Sequence, residues 1–144
     1  MGADKRDAAI QLAARAAATA ACPCSSALPH GACCGRYHAG PQHLMAPTAE
    51  ALMRSRYSAF VLGSADYLLA TWHASTRPKF LPDDPPGLKW LGLEVRRHVQ
   101  QDHEHATVEF IARSKLGGRA QRLHETSRFV REDGRWFYVD GELR

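Results

Sequence analysis

The residues best equipped for chemistry lie close together near the start of the chain. Cys22-Pro23-Cys24 is followed, eight residues later, by Cys33-Cys34-Gly35. Thiolates are soft ligands, and four of them fill the tetrahedral shell of a structural zinc ion. The loop between the two pairs holds little to bury beyond Leu28 and a few alanines. Burial alone does not close it, whereas metal binding contributes on the order of 10 kcal/mol in zinc-finger peptides. Disulfides are the competing use. A Cys-x-Cys bridge and a vicinal Cys-Cys bridge are both strained, and cysteines in a reducing compartment point to metal or catalysis first. We therefore expect one structural Zn2+ on Cys22, Cys24, Cys33 and Cys34, with no coordination position left open. His30, His38 and His43 are alternative ligands that rank below the thiolates.

Acid/base chemistry would need a titratable group inside a pocket. From Gln121 to Arg131 the chain alternates, so Leu123, Glu125, Ser127 and Phe129 share one strand face. If the apolar pair marks the interior, Glu125 is a carboxylate on the core side. It is then either a general base or one half of a structural ion pair. Arg54, Arg56 and Arg97 are the candidate partners, and we expect the pair. The run from Arg54 to Tyr57 supports it, because at least one arginine there must fall near the buried face. His73 ends a helix and is either a proton carrier or a cap for helix carbonyls. Glu125 and His73 are thus the catalytic candidates. Asp140 follows the last strand and is a third polar group that either lines a pocket mouth or is a turn residue before Gly141. No Gly-rich phosphate loop and no Ser-His-Asp spacing stands out.

The elements that must position these residues follow from pattern and punctuation. Thr48 can cap a helix whose apolar stripe is Met53, Tyr57, Phe60 and Val61. Gly63 suits its C-terminal end. Ser64 can cap a second helix that buries Leu68, Leu69 and Trp72. Arg77 to Gly87 is a Pro-rich loop. Leu88 to Gln101 reads as a strand with Leu91, Leu93, Val95 and Val99 on one face. Thr107 to Ser114 does the same with Val108, Phe110 and Ala112. Gly117-Gly118 and Asp133-Gly134 are hairpin turns, flanking strands at Gln121 to Arg131 and Arg135 to Val139. Helices followed by an antiparallel meander form an α+β domain with helices on one sheet face. We expect three regions: an alanine-rich helix or leader over 1–21, the cysteine motif over 22–46, and the α+β domain over 47–144.

Composition narrows the function classes. The chain has 144 residues, 44% hydrophobic and 24% charged, which suits a packed core and argues against wholesale disorder. No apolar run approaches the roughly 20 residues that span a bilayer. Gln11 and Arg15 interrupt any signal-like apolar stretch before Cys22, so we expect a cytoplasmic protein. The net charge is +4. The arginines scatter over solvated strand faces, and a nucleic-acid binder would need them, with Lys115, on one continuous face.

The cysteine segment resembles the SEC-C motif, a small zinc-binding module. Ser25 and Ala27 stand where that motif usually carries glycine. The resemblance extends through Ala46-Pro-Thr-Ala-Glu-Ala-Leu-Met-Arg-Ser-Arg-Tyr-Ser-Ala-Phe60, Asp66-Tyr-Leu-Leu-Ala-Thr-Trp-His73, Trp90-Leu-Gly-Leu93, His124-Glu-Thr-Ser-Arg-Phe129 and Gly134-Arg-Trp-Phe-Tyr-Val-Asp-Gly141. Together these are similar to the YchJ-like proteins. That resemblance implies a nuclear transport factor 2-like fold, a cone of curved sheet closed by helices, behind a zinc knuckle. It implies a fold and a metal, not a reaction. We expect a non-catalytic zinc-binding adaptor or ligand-holding scaffold with a protein partner. The alternatives are a small-molecule acid/base enzyme using the cone, and a nucleic-acid or ribosome-associated factor. We also expect a separable knuckle, so that Cys33→Ser loosens residues 22–40 and leaves 48–141 folded.

Overall fold

The computed structural model describes residues 18–144. The alanine-rich helix or leader expected over 1–21 lies almost wholly outside the described residues. A short 3-10 turn at His30–Ala32 and helix α1 at Gly35–His38 build the knuckle. Helices α2, Ala49–Leu62, and α3, Ala65–Ala70, follow. Strands β1, Lys89–Gln100, β2, His105–Leu116, β3, Arg119–Glu132, and β4, Arg135–Leu143, form one antiparallel sheet in chain order. The helices cover one face of the sheet, as expected for this α+β class. No helix among the described residues is long and apolar enough to cross a membrane.

Helix α2 starts where Thr48 is extended and its Oγ1 accepts the Ala51 N–H at 3.0 Å. It ends at Gly63, whose φ of 71° is the left-handed turn that glycine adopts without a Cβ penalty. Ser64 does not cap α3 with its side chain. Its N–H instead closes back on the Ala59 carbonyl at 2.8 Å, and its own carbonyl accepts from Leu68 at 3.2 Å. The expected stripe on α2 is only part of its buried surface. Leu52, Met53, Ser55, Arg56, Tyr57, Ser58 and Ala59 are all buried, while Phe60 and Val61 are half-buried. The helix is covered by the sheet on one side, by α3 on another and by the knuckle on a third.

Strand β1 departs from simple alternation. Two irregularities, between Trp90 and Gly92 and between Val95 and Arg97, shift its register against β2. Each extra residue flips the pleat. Trp90, Leu93, Val95 and His98 therefore pair with Ser114, Ala112, Phe110 and Val108 on the inner face. Leu91, expected inside, is 58% exposed, and Val99 joins the outer face. Strands β2 and β3 alternate as expected, with Phe110, Ala112, Leu123, Glu125, Ser127 and Phe129 facing the helices. Both hairpin turns have positive φ at both central residues: 58° and 79° at Gly117-Gly118, 51° and 75° at Asp133-Gly134. That is the geometry whose twist matches the strands.

The chain after α3 closes the far edge of the sheet. Thr71 and His73 pair with Tyr138 of β4, through Tyr138 N–H to Thr71 O at 2.9 Å and His73 N–H to Tyr138 O at 2.7 Å. Tyr67 donates its hydroxyl to Ser55 Oγ at 2.7 Å, because the Ser55 hydroxyl is spent on Leu52 O at 2.7 Å. Thr48→Ala removes the only side-chain cap on α2. It should lower the unfolding free energy by about 1 kcal/mol, read as a reduced urea midpoint at an unchanged slope.

Candidate functional site

The knuckle is a loop folded back on itself. Cys22 N–H bonds Leu28 O at 2.8 Å, and Cys33 N–H bonds His30 O at 3.0 Å. Ser25 and Ala27 both have φ of 68°, which explains why glycine is usual there. These turns bring the Sγ atoms of Cys22, Cys24, Cys33 and Cys34 within 4.8 Å of one another, all buried. Cys24 and Cys33 are 3.6 Å apart and all four are free thiols. A tetrahedral zinc with bonds of about 2.3 Å has sulfur–sulfur edges of about 3.8 Å, so the cluster fits one ion of that size. Ser26 Oγ lies 3.2 Å from Cys33 Sγ, and Ser58 Oγ lies 3.4 Å from Cys22 Sγ. Such hydroxyls can donate to ligating sulfurs. Cys22 is held well below the usual thiol range by hydrogen bonds from Cys24 and Cys34. Cys24 and Cys34 are pushed up, because each must then keep a proton beside that thiolate. A bound dication removes the conflict by stabilising every thiolate at once.

The histidines play other parts. His30 Nδ1 lies 3.4 Å from Cys22 Sγ, beside the cluster. His38 Nε2 bonds Ser55 O at 2.8 Å, and burial pulls its pKa down. His43 sits against the Tyr67 ring at 6.5 Å. None joins the metal-competent group among the described residues.

Three further contacts seat the knuckle on the cone. Arg54 Nη1 donates to Cys24 O at 3.0 Å. Ser25 Oγ accepts the Leu93 N–H at 3.1 Å, along the free edge of β1. The cysteines also belong to the same buried cluster as Leu52, Tyr57 and Leu93. The structure thus joins the knuckle to the core, where the sequence suggested a separable appendage.

Between α2 and the sheet lies a cavity of ≈ 340 Å³. Its walls are largely apolar and aromatic, with Met53, Phe60, Trp90, Phe110 and Phe129 among them. Arg56, Glu125, Ser127 and Tyr138 supply polar atoms, and the exposed Asp84, whose Oδ2 accepts the Trp90 Nε1–H at 3.1 Å, adds a second carboxylate. Glu125 faces this interior, but its hydrogen-bond partners are hydroxyls. Ser127 donates to Oε1 at 2.9 Å and Tyr138 at 3.4 Å. The expected arginine ion pair is absent among the described residues: Arg54 pairs with Glu50, Arg97 faces outward, and Arg56 makes no ion pair. His73 does not reach the cavity. Its ring bonds Ser75 Oγ at 2.6 Å and Glu132 Oε1 at 2.8 Å near the β3–β4 turn. Asp140 points outward to Arg128 Nε at 2.6 Å.

The family description "YchJ, middle NTF2-like domain" matches residues 48–141. A UPF0225 protein of Bordetella parapertussis is 59% identical over 87% of this chain and 94% of its own. One from Methylibium petroleiphilum is 63% identical over 85% and 88%. The chain belongs to the YchJ (UPF0225) family. Two solved structures, each of a SEC-C motif containing protein, are similar to it over most of its length. The solution structure from Rhodopseudomonas palustris is 35% identical, with a TM-score of 0.75 over 85% of this chain and 98% of that one. The crystal structure from Psychrobacter arcticus is 32% identical, with a TM-score of 0.74 over 90% and 85%.

In this YchJ-family chain, sequence reasoning missed two features that set the surroundings of Glu125. Tyr138 reads as a core aromatic, yet its hydroxyl reaches Glu125. Gly141 carries no signal of its own in the sequence, yet a Cβ there would collide with the Glu125 carboxylate, so the glycine makes room for that side chain. The outer face holds a further feature. Lys89 pairs across from Lys115, and Arg113 from Arg122. Like charges directly opposite are unfavourable, and only Arg113 among these has an acidic partner, Glu94, at 3.6 Å. Ala27→Gly relieves a left-handed alanine that makes no compensating side-chain bond, and should stabilise the protein by about 1 kcal/mol in thermal melts. Ser25→Gly should gain less, because it also gives up the bond to Leu93.

Proposed function

We propose that this protein is a zinc-knuckle scaffold whose cone holds a small organic molecule without transforming it. One observation carries the reading: of the two carboxylates that line the cavity, Glu125 is engaged only by the hydroxyls of Ser127 and Tyr138, and Asp84 accepts the Trp90 Nε1–H at 3.1 Å, so neither faces a histidine or cysteine that could share a proton. Tyr138 is pushed up to about 12 by burial and by Glu125, and Arg56 is lowered only to about 10 by burial. Both stay protonated at neutral pH. His73, the other candidate, is engaged elsewhere. Zinc is the ion we assign to the four thiolates, in a closed and structural site. A thiolate metal site of this kind suits a reducing compartment such as the cytoplasm.

The zinc would hold α2 in place through Cys22, Ser58, Cys24 and Arg54, so knuckle and cone act as one cooperative unit. Purified protein should contain one zinc per chain. Stripping it with a strong chelator should lower a single melting transition by roughly 10 °C or more. Two separate transitions, or an unchanged melt, would contradict the reading.

The basic row on the outer face favours a second reading, a factor that docks on nucleic acid. A single-stranded RNA probe in fluorescence anisotropy should then bind steeply salt-dependently, and Lys115→Glu with Arg122→Glu should abolish binding. Binding that ignores salt or both changes removes this reading.

A further inference from the structure

We infer that the molecule held by the cone is a small carboxylic acid with an apolar body, its carboxylate seated on Arg56. The inference rests on the reading of the cone as a ligand holder. Arg56 is only 5% exposed and lines the cavity. Its Nη1 donates to Leu68 O and to Thr71 Oγ1, each at 2.7 Å. Thr71 Oγ1 passes its own proton to Tyr67 O at 2.8 Å. The guanidinium lies over the rings of Tyr138 at 4.5 Å and Trp72 at 5.0 Å. The two ring centroids are themselves 5.1 Å apart, so they pack against one side of the guanidinium, and one nitrogen and that side are fixed by the protein.

The opposite edge is not. Nε and Nη2 have no hydrogen-bond partner among the described residues, and no carboxylate lies within the 4.0 Å of an ion pair. These two nitrogens are not among the fully buried atoms that lack a partner, so they open onto the cavity, and an enclosed cation without a counter-ion favours an anion there. Burial lowers its pKa only to about 10, so it keeps its charge at neutrality. Two carboxylates line the same cavity, and neither is in ion-pair reach of Arg56: Glu125 Oε1 is engaged by Ser127 and Tyr138, and the exposed Asp84 accepts the Trp90 Nε1–H at 3.1 Å. Nε and Nη2 form the side of a guanidinium that a carboxylate matches with two parallel hydrogen bonds. The other walls, Met53, Phe60, Trp90, Phe110 and Phe129, ask for a ring or a branched chain. A volume of ≈ 340 Å³ lies at the lower end of ligand-sized sites.

Matched pairs test the idea on the zinc-loaded full chain by calorimetry and ligand-observed NMR. The probes are phenylacetate with phenylacetamide, naphthylacetate with naphthylacetamide, and phenethylamine. At least one acid should bind tenfold or more tighter than its amide, and the amine should bind most weakly. Arg56→Met should erase the acid preference. Glu125→Gln, which leaves Arg56 intact, should tighten acid binding several-fold by removing a nearby negative charge. If Arg56→Met fails to fold, the acid-to-amide ratio and Glu125→Gln decide alone. Amides equal to acids, or a preference for the amine, overturn the inference. The neutral dye Nile red separates the two levels. Its uptake with no acid preference leaves the ligand holder standing without the Arg56 contact, while exclusion of the dye and every probe removes both.

Discussion

Helix α2 carries Ser55, Arg56 and Ser58 on surfaces that folding removes from water. A buried hydroxyl or guanidinium without partners costs on the order of 1–3 kcal/mol or more, so each needs a dedicated neighbour. Ser55 receives Tyr67 from α3, Ser58 receives Cys22 from the knuckle, and Arg56 receives Leu68 O and Thr71 from α3 and its exit. The same exit then pairs with β4 through Tyr138. Knuckle, short helix and sheet edge are thus tied to one polar, enclosed helix.

The knuckle solves a different problem. Its loop has almost no apolar side chain of its own, so local burial does not close it. Four thiols drawn together are mutually unfavourable as anions, and the positions of Cys24 and Cys33 leave room for an ion between them. Two left-handed residues, Ser25 and Ala27, bend the loop tightly enough to achieve this. Ser25 offsets part of its strain by anchoring the loop on the free edge of β1 at Leu93, just past the irregularity between Trp90 and Gly92; Ala27 makes no such contact.

The cavity is a by-product of this arrangement as much as a feature of the sheet. Arg56 and Glu125 both face it yet stop short of one another. Glu125 is drawn toward Tyr138 and Ser127, and Gly141 leaves space for that choice. Arg56 is drawn toward α3. Two opposite charges held apart over an aromatic-walled space define the chemistry of the cone more sharply than its volume does.

Much of this was legible in the sequence because it is local. Thr48 and Gly63 bound α2, the two glycine-bearing turns set the hairpins, and strict alternation put Glu125 on the inner face of β3. The cysteine spacing marked the knuckle before any fold was known. What depends on distant contacts was not legible. Leu91 and Val99 follow the alternation but were turned outward by the two register shifts of β1, which depend on pairing with β2. His73 lies near Trp72 in sequence, yet the pairing of the α3 exit with β4 carries its ring to Glu132. Glu125 was expected to meet an arginine. Ser127 and Tyr138 reach its carboxylate instead, because hydrogen-bond partners are chosen by the packing of separate elements and not by residue order.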